Sequence, residues 1–262
     1  MKLEVNGIHI NYEISGKEGA KVVVLSHSLS SSMIMWEPQL EVLEPHFQVL
    51  RYDMRGHGQS DAPEGAYTLE QLAGDVIGLL DALGLKTVHF VGLSIGGMIG
   101  QCLGLNHADR LDRLVLCDTT AVIPTEARQL FVEREQAARE KGMAALVQGT
   151  LERWFTPGYL QENPPVVDKI RDQVLATPMA GYTGCSQAIL GLNYLDRLSE
   201  IHLPTLIMVG EDDPGTPVSA SEAMHERIPG SRLEVLPHAA HLSNIEQAQT
   251  FNAHLMGFLR EA

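Results

Sequence analysis

A serine framed by glycines, Gly92-Leu93-Ser94-Ile95-Gly96 with Gly97 directly after, is the sharpest chemical signal in the chain. It follows the strand-like run TVHFV and precedes an apolar helical stretch. That strand–turn–helix setting forces a serine into the tight, strained turn of a nucleophile elbow. The flanking glycines let neighbouring chains approach, and the amide end of the next helix faces developing negative charge. A serine hydroxyl is a poor nucleophile without a base, and the base must be held in its useful tautomer. Acids stand at two strand ends: Asp118 after RLVLC, and the adjacent Asp212 and Asp213 after PTLIMVG. Two histidines, His238 and His241, follow the last strand in LPHAAHLSNIE. The order serine, acid, histidine is the one such a strand–helix fold requires. An oxyanion hole needs two backbone amides near the nucleophile. One is expected from Ile95 and the other from the loop SHSLSSS, at Leu29. His27 in that loop reads as a structural hydrogen-bonding residue.

The elements that must hold these residues follow from periodicity. Leu3–Val5 and Ile8–Ile14, broken at Asn6–Gly7, read as a hairpin. Val22–Leu25 is apolar without alternation, the pattern of a strand covered on both faces in a parallel sheet. A helix around Trp36–Leu43, the strand FQVLRYD, and a helix over Leu69–Leu83 ended by Gly84 come next. TVHFVGLS, GGMIGQCLGL and LDRLVLCDT continue as strand, helix and strand. Residues 121–196 break this rhythm and look helical, with Pro157, Pro164, Pro165 and Pro178 as separators. Helices are expected over EARQLFVEREQAAREKGM, around Pro165–Leu175 and around Met179–Leu190. The alternation resumes with LPTLIMVG, a helix at Val218–Arg227, a strand at Arg232–Leu236 and a final helix from about Asn244 to Arg260. The fold class is therefore α/β: a mostly parallel sheet flanked by helices. Its core covers residues 1–120 and 197–262, and a helical cap covers 121–196, over the sheet edge where open α/β folds bind ligands.

Composition narrows the function. The 262 residues carry 19 Lys and Arg against 33 Asp and Glu, a formal net charge of −14. Nucleic-acid binding and adhesion to anionic membranes are disfavoured, since both need a basic face. Cys102, Cys117 and Cys185 are too dispersed for a disulfide framework or zinc knuckle. MKLEVNGIHI lacks the apolar run of a signal peptide, and no stretch reads as a membrane span. The expectation is a cytoplasmic enzyme or binding protein, and the serine chemistry above would need neither metal nor organic cofactor. The sequence leaves its oligomeric state open.

The motifs together resemble the α/β-hydrolase superfamily, and within it the 3-oxoadipate enol-lactone hydrolases of aromatic catabolism. The resemblance is carried by His27-Ser28-Leu29, Asp53-Met54-Arg55-Gly56-His57-Gly58-Gln59-Ser60, Gly92–Gly97, Gly210-Glu211-Asp212-Asp213 and Ala240-His241. Narrower likeness lies in MIMWEPQL, GLSIGGMIGQCLGLNHADRLDRLVLCDT and ERWFTPGY. Ser28 and Ala240 depart from the glycines many relatives have, but both are small. The resemblance selects Asp213 as the acid and His241 as the base, five residues before Glu246. It implies that Asp53, Arg55 and His57 form a structural loop. It also implies a lactone substrate with a free carboxylate, to be met by a guanidinium or several hydrogen-bond donors. Arg134, Arg139 and Arg153 are available in the insertion. Arg134 is the chosen candidate, Arg139 reads as a solvated helix face, and Trp154 and Trp36 are candidate pocket walls. The same motifs also accommodate a general small-ester or carbon–carbon bond hydrolase, or a non-catalytic binding protein on the scaffold. A haloalkane dehalogenase is disfavoured, because Ser94 stands where its carboxylate would.

Overall fold

The structure, a computed structural model, describes residues 1–261. The chain opens with the hairpin β1 (Lys2–Val5) and β2 (Ile8–Gly16), turned at Asn6 and Gly7, both at positive φ. Then come β3 (Val22–Ser26), α1 (Glu37–Leu43), β4 (Gln48–Tyr52), α2 (Leu69–Ala82), β5 (Val88–Leu93), α3 (Ile95–Asn106) and β6 (Leu111–Cys117). A run of helices follows: α4 (Thr125–Lys141), α5 (Ala144–Trp154), α6 (Pro157–Glu162), α7 (Pro165–Ala176) and α8 (Met179–Leu190). The chain ends with β7 (Thr205–Gly210), α9 (Val218–His225), β8 (Arg232–Leu236), α10 (Ser243–Glu246) and α11 (Ala248–Leu259).

Among the described residues, eight strands form one sheet in the order β1-β2-β4-β3-β5-β6-β7-β8. The first three in that order pair antiparallel and the rest parallel. The unbroken apolar runs are explained by a core on each face. Val24, Leu50, Phe90 and Leu114 pack with Leu72, Val76 and Ile99 of α2 and α3. Val23, Val49, Val91 and Val115 pack on the other face with Trp36, Leu43, Phe251 and Leu255. Alternate residues of one strand thus serve opposite cores, as the pleat dictates.

The helical insertion α4–α8 leaves and rejoins the sheet at one neck, where Val122 bridges Asn193 and Tyr194 N–H donates to Ala121 C=O. It seats on the core by a backbone approach that only glycine permits. A β-carbon on Gly181 of α8 would lie 1.8 Å from the Gly56 carbonyl oxygen. Two helices, α5 and α6, go beyond those expected individually within the insertion. The expected last helix is two pieces, α10 and α11, because Gln247 leaves helical geometry at φ −120° and ψ 46°. The apolar stripe Ile245, Ala248, Phe251 runs across this break, so periodicity does not register it. No helix among the described residues is long and apolar enough to cross a membrane.

Candidate active site

Ser94 joins β5 to α3 at φ 59° and ψ −119°, a conformation that costs a non-glycine residue about 1–3 kcal/mol. The surroundings hold it there. Its N–H donates to Cys117 C=O at 2.9 Å, and its own carbonyl accepts from Thr119 Oγ1 at 2.7 Å. The glycine spacing has a steric cause: a β-carbon on Gly92 would sit 2.1 Å from Gly96 O, and one on Gly96 would sit 2.3 Å from Ser26 O.

Asp213 lies just past the C-terminal end of β7, its side chain wholly buried. Its Oδ1 accepts the amides of Gly215 (2.7 Å) and Thr216 (3.0 Å), and Oδ2 accepts the Thr216 hydroxyl (2.6 Å). The same Oδ2 meets His241 Nδ1 at 2.7 Å. That contact makes Nδ1 the protonated ring nitrogen and leaves Nε2 as the basic one. Burial alone would lower the His241 pKa, but the Asp213 charge and hydrogen bond, with Asp118 behind them, leave it above the ordinary value. Asp213 is held below the usual carboxylate range: burial opposes its ionisation, and the imidazole and its hydrogen bonds outweigh burial.

Ser94 and His241 line one cavity of about 440 Å³. No hydrogen bond joins the serine hydroxyl to the imidazole among the described residues; such bonds are often long without substrate and tighten when it binds. Leu29 lines the same cavity, Ile95 directly follows Ser94 at the start of α3, and the amides of both donate to no protein acceptor among the described residues. The loop carrying Leu29 is pinned along its length. Ser28 N–H donates to Met35 Sδ (3.3 Å), Ser30 N–H to His57 Nε2 (2.9 Å) and Met33 N–H to Asp53 Oδ1 (2.9 Å). Gln173 of α7 accepts from both Ser31 and Ser32 through its Oε1.

The cavity lining carries two cations. Arg134 of α4 and Arg153 of α5 both line it, and neither forms an ion pair with a protein carboxylate among the described residues. Arg153 donates to Thr150 Oγ1 at 3.1 Å, and burial together with the Arg134 charge pushes its pKa down to about 10. Two guanidiniums outside any ion pair among the described residues, one acting on the charge of the other, are suited to meet an anion in a chain of net charge −14. Leu130, Phe131 and Ile189 supply apolar surface beside them.

The α/β hydrolase fold family matches residues 21–248. The chain belongs to that family. It is 36% identical to 3-oxoadipate enol-lactonase 2 of Acinetobacter baylyi, over 95% of this chain and 92% of that protein. The crystal structure of the enol-lactonase from Burkholderia xenovorans LB400 superposes with a TM-score of 0.96 at 40% identity, covering 100% of both chains. A thermophilic esterase from Thermogutta terrifontis, solved with malate bound, gives 0.93 at 30% identity over 99% of this chain and 98% of that one.

In this α/β hydrolase the expected residues divide clearly. Ser94, Asp213, His241, Leu29 and Ile95 converge, and Arg134 and Trp154 line the same cavity, the indole stacked 6.5 Å from the His241 ring. Asp212 and His238 are exposed. Asp118 is buried but committed elsewhere, accepting Gly210 N–H at 2.8 Å and the Ser243 hydroxyl at 2.5 Å. Trp36 is a correction: it is fully buried against Phe251 and does not line the cavity. The 3-10 turn Met33–Trp36 folds back toward α11, so its indole fills the core under the sheet. Arg139 pairs with Glu135 on an exposed helix face. Sequence reasoning ranked Arg153 too low and missed Thr216 and Tyr182 on the cavity wall. For Thr216 a partial signal existed: an aspartate at a turn accepts backbone amides two and three residues on, as Asp213 does from Gly215 and Thr216, which brings the Thr216 hydroxyl to its carboxylate.

Proposed function

We propose that this α/β hydrolase opens 3-oxoadipate enol-lactone to 3-oxoadipate, with Ser94 as nucleophile, His241 as base and Asp213 as the acid that orients it. The observation that carries the reading is one cavity in which Ser94 and His241 face two guanidiniums left without a protein carboxylate. The helical insertion serves as the cap that brings those guanidiniums over the chemistry. The substrate carboxylate sits between Arg134 and Arg153, and its ring lies against Trp154, which sets the lactone carbonyl over Ser94 Oγ.

His241 Nε2 takes the hydroxyl proton as Ser94 attacks. The tetrahedral oxyanion is held by the Leu29 and Ile95 amides, which donate to no acceptor among the described residues. Collapse breaks the ring C–O bond, His241 protonates the departing enol oxygen, and the enol relaxes to the ketone while still tethered through the acyl-enzyme. His241 then activates water, and the dicarboxylate leaves. The name of the Acinetobacter relative supports this substrate, and that of the Burkholderia relative supports an enol-lactone. The three free, buried cysteines suit a reducing cytoplasm.

The test is kcat/KM on freshly generated 3-oxoadipate enol-lactone beside p-nitrophenyl acetate, with Ser94→Ala as control. The expected result is about 10⁶ M⁻¹s⁻¹ or more for the lactone, far above the ester and abolished in the variant. Fast ester turnover with negligible lactone turnover would assign the site to general ester hydrolysis instead.

A further inference from the structure

We propose that Glu246 is a positioning residue that holds the His241 turn and the Trp154 wall of the cavity in one register. The inference rests on the reading of His241 as the base. Glu246 ends α10, half-buried, and forms no ion pair among the described residues. Its carboxylate is satisfied by donors from two segments. Oε2 accepts Ala240 N–H at 2.9 Å, the amide immediately before His241. Oε1 accepts Thr156 N–H at 3.1 Å and also the Thr156 hydroxyl, in a short contact. Thr156 stands two residues after Trp154 and caps α6, its oxygen accepting Tyr159 N–H.

The two segments are joined further along. Leu242 N–H donates to Trp154 C=O at 3.0 Å, and the Trp154 and His241 rings stack with 28° between their planes. Residues 240–242 therefore face residues 154–156, with the carboxylate as the clasp at one end and the ring stack across the middle. Arg153 precedes Trp154, so a shift of this segment moves the anion site as well as the indole. One side chain thereby couples where the base stands to where the substrate is held, and misplacement by an ångström in such a relation costs large factors in rate.

A carboxylate is required here, and an amide is not equivalent. An ionised carboxylate only accepts, and here it accepts from two backbone N–H groups, which can only donate, and from the Thr156 hydroxyl. In Glu246→Gln the NH₂ must face a backbone N–H, that of Ala240 or that of Thr156, and only the Thr156 hydroxyl can turn to accept it, so one backbone junction opens although size is conserved. Thr156→Val removes the hydroxyl arm alone, and Thr156→Ser keeps it.

The experiment measures kcat and KM for p-nitrophenyl acetate and for the lactone in these three variants, per active site titrated with a fluorophosphonate. It is accompanied by the downfield proton resonance of the His241 Nδ1–H. Glu246→Gln is expected to lower kcat on both substrates by about tenfold or more, to raise KM for the lactone alone, and to shift or broaden the imidazole proton. Thr156→Val is expected to raise the lactone KM with little change in ester kcat, and Thr156→Ser to match the wild type. The proposal is overturned if Glu246→Gln, per titrated site, keeps wild-type kcat and an unmoved imidazole resonance. The ester comparison decides this even if the lactone is not the substrate, and retained ester turnover in Ser94→Ala would instead sink the reading of the nucleophile.

Discussion

Asp213 Oδ2 accepts a hydrogen bond from His241 Nδ1–H at 2.7 Å, whereas Asp118, a second buried carboxyl group near the same imidazole, has both oxygens occupied by Gly210 N–H and the Ser243 hydroxyl. The two acids therefore do different work. Asp118 ties the ends of β6, β7 and α10 together, and burial with the nearby Asp213 charge drives its pKa well above the ordinary carboxylate value. Asp213→Asn is expected to lower kcat on the order of 10⁴-fold through the wrong imidazole tautomer. Asp118→Asn should keep kcat within about tenfold while losing about 1–3 kcal/mol of stability, because a buried donor is left unmatched. Steady-state kinetics and urea unfolding of both variants test this assignment. Loss of activity in the Asp118 variant with retention in the Asp213 variant would reverse the roles.

The pH profile follows from the same pair. In the proposed mechanism His241 must be neutral to accept the serine proton, and its environment raises its pKa above the ordinary value of about 6.5. The acidic limb of kcat/KM should accordingly lie above that value and move down in Asp213→Asn. For stability the signs are opposite within the pair. The His241 contribution is complete below the unfolded pKa and is lost as pH rises through the raised folded one. The Asp213 contribution is present above its unfolded pKa and is lost as pH falls through its depressed folded value. A limb that does not move in the Asp213 variant would contradict this account.

Arg153→Met and Arg134→Met keep much of the apolar stem and remove the guanidinium. Each is expected to lower lactone kcat/KM by about 10- to 100-fold, the range of a charge-assisted hydrogen bond, mostly through KM. Hydrolysis of p-nitrophenyl acetate, which carries no carboxylate, should be nearly unchanged. Because neither guanidinium is in an ion pair among the described residues and the Arg134 charge disfavours that of Arg153, neither variant should melt appreciably below the wild type. Equal losses on both substrates would show that the arginines shape the cavity rather than bind an anion.

How far the sequence discloses this site depends on how local each cause is. Ser94 was legible because its positive φ and the close approach of Gly92 to Gly96 dictate residue types within a single turn. The strands were legible because burial on both faces leaves no polar alternation. Asp213 and Asp212 are chemically identical neighbours; only folding buries one and exposes the other. Trp36 was misplaced because the direction of its loop is set by Phe251, far along the chain. Arg153 competes with Arg134 and Arg139 on equal terms until helices α4 and α5 are packed, and nothing near Glu246 names Thr156 as its partner.

The oxyanion loop yields the last prediction. Ser30 adopts φ 60°, and its N–H donates to His57 Nε2 while His57 Nδ1 faces the Arg55 carbonyl at 3.3 Å. Only a neutral imidazole does both. Burial, reinforced by the neighbouring His27, pushes the His57 pKa down to about 3, so the acceptor persists throughout the range in which His241 titrates. His57→Phe keeps a ring of similar size and removes the acceptor. The Ser30 amide is then orphaned beside Leu29, and kcat for p-nitrophenyl acetate is expected to fall by about 10-fold or more, with KM little changed and the position of the acidic limb unaltered. The wild type also loses stability as pH falls below the unfolded imidazole value of about 6.5, since His57 takes up a proton only on unfolding. The variant should show a weaker loss over that interval. A His57→Phe enzyme with wild-type kcat would mean that the other pins, from Met35, Asp53 and Gln173, suffice to hold the loop.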